Sequence, residues 1–301
     1  MKLLIIGGSG HVSGTLARTA LAAGHQVWTL TRGQRPLPAG ARALVADRHD
    51  LAATAAAVAG AGTTWDLVVD CICFQVADMQ QDLALFGARA AQFVLISTDF
   101  VYDPAHRRFP QPENATHYAT GESYGARKRQ CELALAAGAP ATLAWTVLRP
   151  NHIYGPSSEL GCLPLHGRDR ELIPRLRAGT PLQLVGGGHF LQQPIMADDL
   201  AACILSIAGN ARAAGQTYNA TGPEIIESWQ YYQIIADVLG VGLQVAEVPV
   251  AAHRAAHPDQ APFLCHRIYD LSRLRAAGLA VPATPLAVGL RQHVQGLLAR
   301  R

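Results

Sequence analysis

The chain has 301 residues, half of them apolar and only 16% charged, a balance that suits a buried core and argues against disorder. A net charge of +3 with no basic run makes nucleic acid and membrane surfaces poor partners, and no apolar run reaches the length of a membrane span. Lys2 begins a strand pattern rather than a leader peptide, and the six cysteines are dispersed in apolar segments as reduced core residues, so a cytoplasmic protein is expected.

Residues 2–6 form a continuous apolar run, the pattern of a strand buried on both faces of a parallel sheet. Gly7-Gly8-Ser9-Gly10-His11-Val12-Ser13-Gly14 follows at once, and residues 15–23 then read as a helix stopped by Gly24. Gly7 allows a tight turn, and Gly10 lets a pyrophosphate approach the N–H groups at the helix N-terminus. Residues 25–30 are a second strand ending in Thr31-Arg32-Gly33. A carboxylate at that strand end would bind a ribose 2′-hydroxyl, whereas an arginine accommodates a 2′-phosphate, so Arg32 favours NADP(H) over NAD(H). The plainer reading of Arg32 is a solvated surface residue.

Residues 43–46 are a short strand, and Asp47 after it is an acceptor for an adenine amino group or a turn residue. A helix over 50–59, a strand over 65–73, a helix over 76–90 and a strand over 92–97 continue the alternation. Strands and helices in this order predict a doubly wound parallel sheet of the Rossmann kind, with ligands at the carboxyl ends of the strands, where Thr98 lies. Cys71-x-Cys73 has no partner pair, and no metal site is expected.

Lysine occurs only at Lys2 and Lys128. Lys128 follows Tyr124 by four residues on a helix expected over 121–137, so ammonium and phenol share a face, as a reactive pair or as an ordinary aromatic–Lys stripe with Cys131 and Leu135. An ammonium beside a phenol stabilises the phenolate. A strand over 143–148 leads into Arg149-Pro150-Asn151-His152-Ile153-Tyr154-Gly155-Pro156. Beyond it the alternation weakens. Helices are expected over 173–178, 198–207, 228–239 and 285–298, and strands over 181–185 and 215–219. His253, His257 and His266 fall in an irregular stretch and read as packing residues. The division expected is a dinucleotide-binding domain over 1–165, completed by about 190–220, and a smaller, intertwined C-terminal substrate domain over 166–301.

These motifs together resemble the extended short-chain dehydrogenase/reductases. The resemblance covers nearly the whole chain and implies a Rossmann fold and hydride transfer between NADP(H) and a carbonyl/alcohol substrate. Gly7, Gly8, Ser9, Gly10, His11 and Val12 match the family's glycine loop, and Arg32 resembles the strand end of its NADP-using members. Thr98, Tyr124 and Lys128 fit its catalytic set: Tyr124 as acid–base group, Lys128 lowering the Tyr124 pKa and binding the nicotinamide ribose, and Thr98 holding the substrate oxygen. Cys71, Pro150 and Ile153 fall in the segments that line the cofactor. Asp99, Phe100, His152 and Gln192 fall at substrate positions. Phe100 replaces a dehydratase acid, and Gln192 stands where many nucleotide-sugar enzymes have an arginine for phosphates, which disfavours a nucleotide-sugar substrate. Ser13 takes the third glycine's slot. A nucleotide-sugar epimerase retaining its cofactor and a regulator without turnover are the competing readings, and a homodimer is what the resemblance implies for assembly.

Overall fold

Strands β1 (Lys2–Ile6), β2 (Gln26–Thr31), β3 (Arg42–Val45), β4 (Trp65–Asp70), β5 (Ala90–Ile96) and β6 (Ala144–Pro150) are interleaved with helices α1 (His11–Ala22), α2 (Leu51–Gly60), α3 (Val76–Phe86) and α4 (Tyr124–Gly138). The computed structural model describes residues 1–300. Later in the chain come β7 (Ile153–Tyr154), α5 (Leu172–Arg177), β8 (Leu182–Val185), β9 (Leu191–Gln192), β10 (Ile195–Met196), α6 (Ala197–Leu205) and β11 (Gln216–Ala220). They are followed by β12 (Ile226–Glu227), α7 (Ser228–Leu239), β13 (Val245–Val248), α8 (Val250–Ala256), α9 (Ser272–Ala276) and α10 (Leu286–Leu298).

The central sheet has seven strands in the order β11-β6-β5-β4-β1-β2-β3. All its pairings are parallel, with Leu4 between Trp28 and Val68. Apolar runs dominate these strands because both faces are covered. On one face, Leu16 and Ala17 of α1 and Leu200 and Ile204 of α6 close over Leu3, Ile5 and Val69. On the other, Val58, Met79, Phe86, Cys131 and Leu135 from α2, α3 and α4 cover Leu4, Val68 and Phe93. The chain winds outward from β1 to β3 on one side and from β4 to β6 on the other, so β1 and β4 flank the switch point where a ligand crevice opens.

The small strands pair among themselves as β7 with β10, β8 with β13 and β9 with β12. They carry a separate core in which Tyr231, Tyr232, Ile235 and Leu290 pack on Leu172, Leu176 and Leu184. Because β11 returns to the large sheet beside β6, the chain crosses between the two cores and back. Among the described residues no helix is long and apolar enough to cross a membrane.

Several boundaries differ from the sequence reading for local reasons. The helix expected from 121 starts at Tyr124 because the Ser123 hydroxyl caps it, accepting from the Ala126 N–H at 3.2 Å. The strand expected to run to Cys73 stops at Asp70, whose carboxylate turns the chain by accepting from the Ile72 N–H at 2.6 Å. The helix expected to reach 90 ends at Phe86, and Ala90 already belongs to β5. Residues 240–284, the segment around His253, His257 and His266, contain β13, α8 and α9, which the sequence pattern did not reveal. His253 meets the Gln260 side chain at 3.0 Å, and His266 accepts from the Leu191 N–H at 3.0 Å.

Candidate active site

Two connected clefts of about 370 and 540 Å³ run along the carboxyl ends of the central strands, sharing Gly10, Ser13, Ile72 and Phe74. The first lies over β2 and β3 and is lined by Gly7, Ser9, Arg32, Arg35 and Asp47. The second continues over β4, β5 and β6 and holds Thr98, Tyr124, Lys128, Pro150, His152 and Ile153.

Gly7 and Gly8 adopt φ values of +123° and +106°, which favour glycine, and a Cβ on Gly8 would meet the Thr29 side chain at 2.6 Å. Ser13, in the slot of a third glycine, is buried, and its hydroxyl accepts from the Gly10 N–H at 3.1 Å. The substitution closes the loop rather than loosening it. Past that bond α1 presents its first-turn N–H groups, which have no partner inside the helix. The His11 Nδ1 meets the Ser157 hydroxyl at 2.7 Å, while its buried Nε2 has no hydrogen-bond partner. An unpartnered imidazole nitrogen beside a helix N-terminus fits a phosphate-bearing ligand. His11, Val12 and Cys71 line the second cleft.

Arg32 and Arg35 are exposed at the far end of the first cleft, and neither makes a hydrogen bond or ion pair among the described residues. Arg48 lines the same cleft, but its charge is consumed behind it. It binds Asp70 at 2.7 Å and Asp82 at 3.1 Å and lies 3.6 Å from Asp78. Burial and the neighbouring Asp70 push the Asp82 carboxyl well above its usual range, while Arg48 works in the opposite direction. Asp47 accepts from the His49 N–H at 3.0 Å, a turn contact that uses one carboxylate oxygen.

Lys128 is 1% exposed, and its ammonium donates to the backbone carbonyls of Cys73 and Ile96, both at 2.7 Å. An ammonium has three donors, so one remains for the cleft that Lys128 lines. Tyr124 stands at the first position of α4 and is 43% exposed, between the rings of Phe74 and Phe100, whose centroids are both 6.4 Å away. Its approach to the turn after β5 depends on Gly125, where a Cβ would lie 1.8 Å from the Phe100 carbonyl oxygen. Crowding around the phenol and the nearby Asp99 carboxylate push its pKa above the usual 10, while the Thr98 hydroxyl works in the opposite direction. The expectation that Lys128 lowers the Tyr124 pKa is thus corrected: the ammonium is turned to two carbonyls, and the phenol is shifted upward.

Of the expected substrate residues, Asp99, Phe100 and His152 line the second cleft and Gln192 does not. Asp99 is buried, with Arg267 holding both its oxygens at 2.7 and 2.9 Å and the Tyr269 hydroxyl donating to it, so it is an anchor for the 267–269 segment rather than a free proton group. His152 lines the cleft, but burial and the field of Arg267 lower its pKa to about 3, which keeps it neutral. Gln192 does not reach the cleft: it is 1% exposed in β9, paired with Ile226 of β12. Phe100 does line it.

Sequence reasoning missed Glu132, Gly125, Arg35, Arg168 and Arg267. Glu132 is one helical turn past Lys128, an i, i+4 spacing that marked it as facing the same side. Arg149 donates to it through Nε at 2.9 Å and Nη2 at 2.6 Å, and the Ser97 hydroxyl donates at 2.6 Å. Arg149 therefore turns into the core to hold α4, while its neighbour Pro150 faces the cleft.

A glycine loop joined by connected clefts to Tyr124 and Lys128 at the carboxyl ends of a parallel sheet is the arrangement of nicotinamide-dependent oxidoreductases. The chain belongs to the NAD dependent epimerase/dehydratase family, whose model matches residues 3–221. It is an NAD(P)-dependent enzyme of the extended short-chain dehydrogenase type. Among curated proteins it is 28% identical to the 2'-dehydrokanamycin reductase of Streptomyces kanamyceticus, over 91% of this chain and 78% of that protein. It is 27% identical to the 2-alkyl-3-oxoalkanoate reductase of Stenotrophomonas maltophilia, over 91% and 85% respectively. A third relative, chloroplast stem-loop binding protein of 41 kDa b from Arabidopsis thaliana, is 25% identical over 75% of this chain and 60% of its own. The fold is similar to that of UDP-glucose 4-epimerase from Thermotoga maritima, solved with UDP-glucose, at a TM-score of 0.79 and 17% identity over 100% and 99% of the two chains. MoeE5 in complex with UDP-glucuronic acid and NAD is equally similar, with a TM-score of 0.79, 17% identity and full coverage of both chains.

Proposed function

We propose that the protein is an NADP(H)-dependent reductase that converts a ketone to an alcohol, with Tyr124, Lys128 and Thr98 as its catalytic residues. The observation that carries this reading is a single continuous cleft joining unpaired Arg32 and Arg35, the glycine loop, and the Tyr124–Lys128–Thr98 group. Arg32 and Arg35 bind a 2′-phosphate, Asp47 offers its remaining oxygen to the adenine, and Gly7, Gly10 and the first turn of α1 hold the pyrophosphate. The free donor of Lys128 takes the nicotinamide ribose. When bound, the reduced cofactor supplies the hydride that the carbonyl carbon receives. Tyr124 gives its proton to the carbonyl oxygen, and its raised pKa keeps it protonated at neutral pH for that task. Thr98 fixes the oxygen beside Tyr124. Phe100, Pro150 and Ile153 narrow the cleft and exclude water.

The reductases among the curated relatives support this direction. The solved UDP-sugar enzymes favour a second reading, an epimerase that oxidises and re-reduces a nucleotide sugar. Against it stands Gln192, turned into the fold instead of toward phosphates. An intact Tyr124–Lys128 pair and a net charge of +3 count against RNA binding, the property in the Arabidopsis relative's name. The same reading takes the protein as a cytoplasmic homodimer, with Leu133, 45% exposed on α4, in the joining face. Cofactor stoichiometry tests the proposal: a ketone panel should oxidise NADPH mole for mole, faster than NADH. Interconversion of UDP-sugars without net oxidation would establish the epimerase instead.

A further inference from the structure

Beyond Tyr124 the second cleft continues to a wall built from Phe100, Leu163, Arg168 and Arg267. Its charge is lopsided. Arg267 holds Asp99 through Nε and Nη2, leaving Nη1 without a partner among the described residues, and its guanidinium lies 4.8 Å over the Phe100 ring. Arg107 stands behind it, 3.8 Å from the same carboxylate, with a buried Nε that has no hydrogen bond. Two guanidinium groups therefore face one acid. Arg168 at the rim adopts φ of +56°, unusual for a residue other than glycine, and makes no hydrogen bond or ion pair among the described residues. Glu159, the other carboxylate lining this cleft, lies 3.7 Å from Arg170. His11 and His152 add no positive charge at neutral pH, since burial holds them neutral, and the field of Arg168 reaches both and the Tyr124 phenol.

The same wall is aromatic. Phe100 meets Phe263 at 5.3 Å between centroids and Tyr124 at 6.4 Å. An apolar surface edged by the unpaired Arg168 and by the open Nη1 of an Arg267 otherwise bound to Asp99 selects an amphipathic anion. A neutral sugar leaves the arginines unanswered, and a cation is repelled.

We propose that the substrate is an oxo acid: a ketone held at Thr98 and Tyr124, its carbon body on Phe100 and Leu163, its carboxylate at Arg168 and Nη1 of Arg267. This rests on the reductase reading and adds the substrate class to it. The Stenotrophomonas relative, 2-alkyl-3-oxoalkanoate reductase, is named for a compound of the same class.

The test is calorimetric titration of the protein saturated with NADP⁺, or NAD⁺ where that binds better, so that no reduction occurs. The probes are 3-oxooctanoate, its isosteric neutral amide 3-oxooctanamide, and UDP as competitor. The acid should bind at least ~10-fold tighter than the amide, the scale of one charge-assisted contact, and Arg168→Gln, an exposed position, should erase most of that preference. Equal affinity for acid and amide overturns the proposal, as does a preference that survives Arg168→Gln. Displacement of the acid by equimolar UDP also overturns it, in favour of a nucleotide substrate. Acid-selective binding without any NADPH oxidation by the acid would sink the reductase reading while leaving the anion site standing. NADPH oxidation with the amide as efficient as with the acid would do the reverse.

Discussion

Replacing Glu132 by Gln isolates the device that holds α4, the helix that bears Tyr124 and Lys128. The carboxylate of Glu132 accepts two hydrogen bonds from Arg149, one from Ser97 and one from Arg129 at 2.7 Å, all at a residue that is 3% exposed. The glutamine is nearly isosteric, so the packing term is small, but it leaves the buried Arg149 guanidinium facing an amide. Breaking a buried ion pair at one partner costs about 3–5 kcal/mol. That is a large share of the roughly 5–15 kcal/mol that stabilises a folded chain. The pH dependence adds a sign. Arg149 holds the Glu132 carboxyl below its usual 4.5, so the stabilisation is fully present above that value and is lost as pH falls through the depressed one. Urea unfolding followed by circular dichroism at neutral pH and at a pH below 4.5 measures both terms. Glu132→Gln should lower stability by about 3 kcal/mol or more at neutral pH, and the gap to wild type should narrow on acidification. A loss under about 1 kcal/mol, or a gap that widens in acid, would refute the assignment of Glu132 as a buried, ionised anchor.

Two other substitutions test the ends of the cleft. Exchanging Arg32 and Arg35 together for Gln should raise the KM for NADPH by ~10- to 100-fold while leaving that for NADH within ~3-fold, since each lost contact to a phosphate is charge-assisted. A parallel rise for both cofactors would show that the arginines do not read a 2′-phosphate. Gly125→Ala forces a Cβ toward the Phe100 carbonyl at 1.8 Å, so α4 must shift and carry Tyr124 with it. Turnover should fall by ~10²-fold, a drop that a misplacement of about 1 Å produces, with NADPH affinity nearly retained; kcat within ~3-fold of wild type would count against that placement.

The parallel sheet was readable because its strands are continuous apolar runs broken by glycine loops, a pattern that survives without any knowledge of contacts. The glycine loop and the Tyr124–Lys128 spacing were readable for the same reason: each is local, and the structure gathers them along one cleft. What failed was long-range. Asp99 reads as a substrate residue with no partner in view until Arg267, 168 positions later, is folded against it. Gln192 reads as a substrate residue until β12 pairs with β9 and buries it. The upward shift of Tyr124 was also illegible, because it comes from burial and the Asp99 carboxylate, and the ammonium that spacing assigned to the phenol donates to the carbonyls of Cys73 and Ile96. Arg168 carried no pattern at all, and its unusual backbone and lack of partners are visible only in three dimensions.

Tyr124→Phe removes the proposed proton donor and little else, since the phenol sits at a half-exposed helix start and the ring contacts with Phe74 and Phe100 are kept. The direct measurement is ketone reduction by this variant at saturating NADPH, with NADPH affinity followed separately by fluorescence. Turnover should fall by at least ~10²-fold while NADPH binds within ~3-fold of wild type. Turnover within ~10-fold of wild type would contradict Tyr124 as the acid of the reaction.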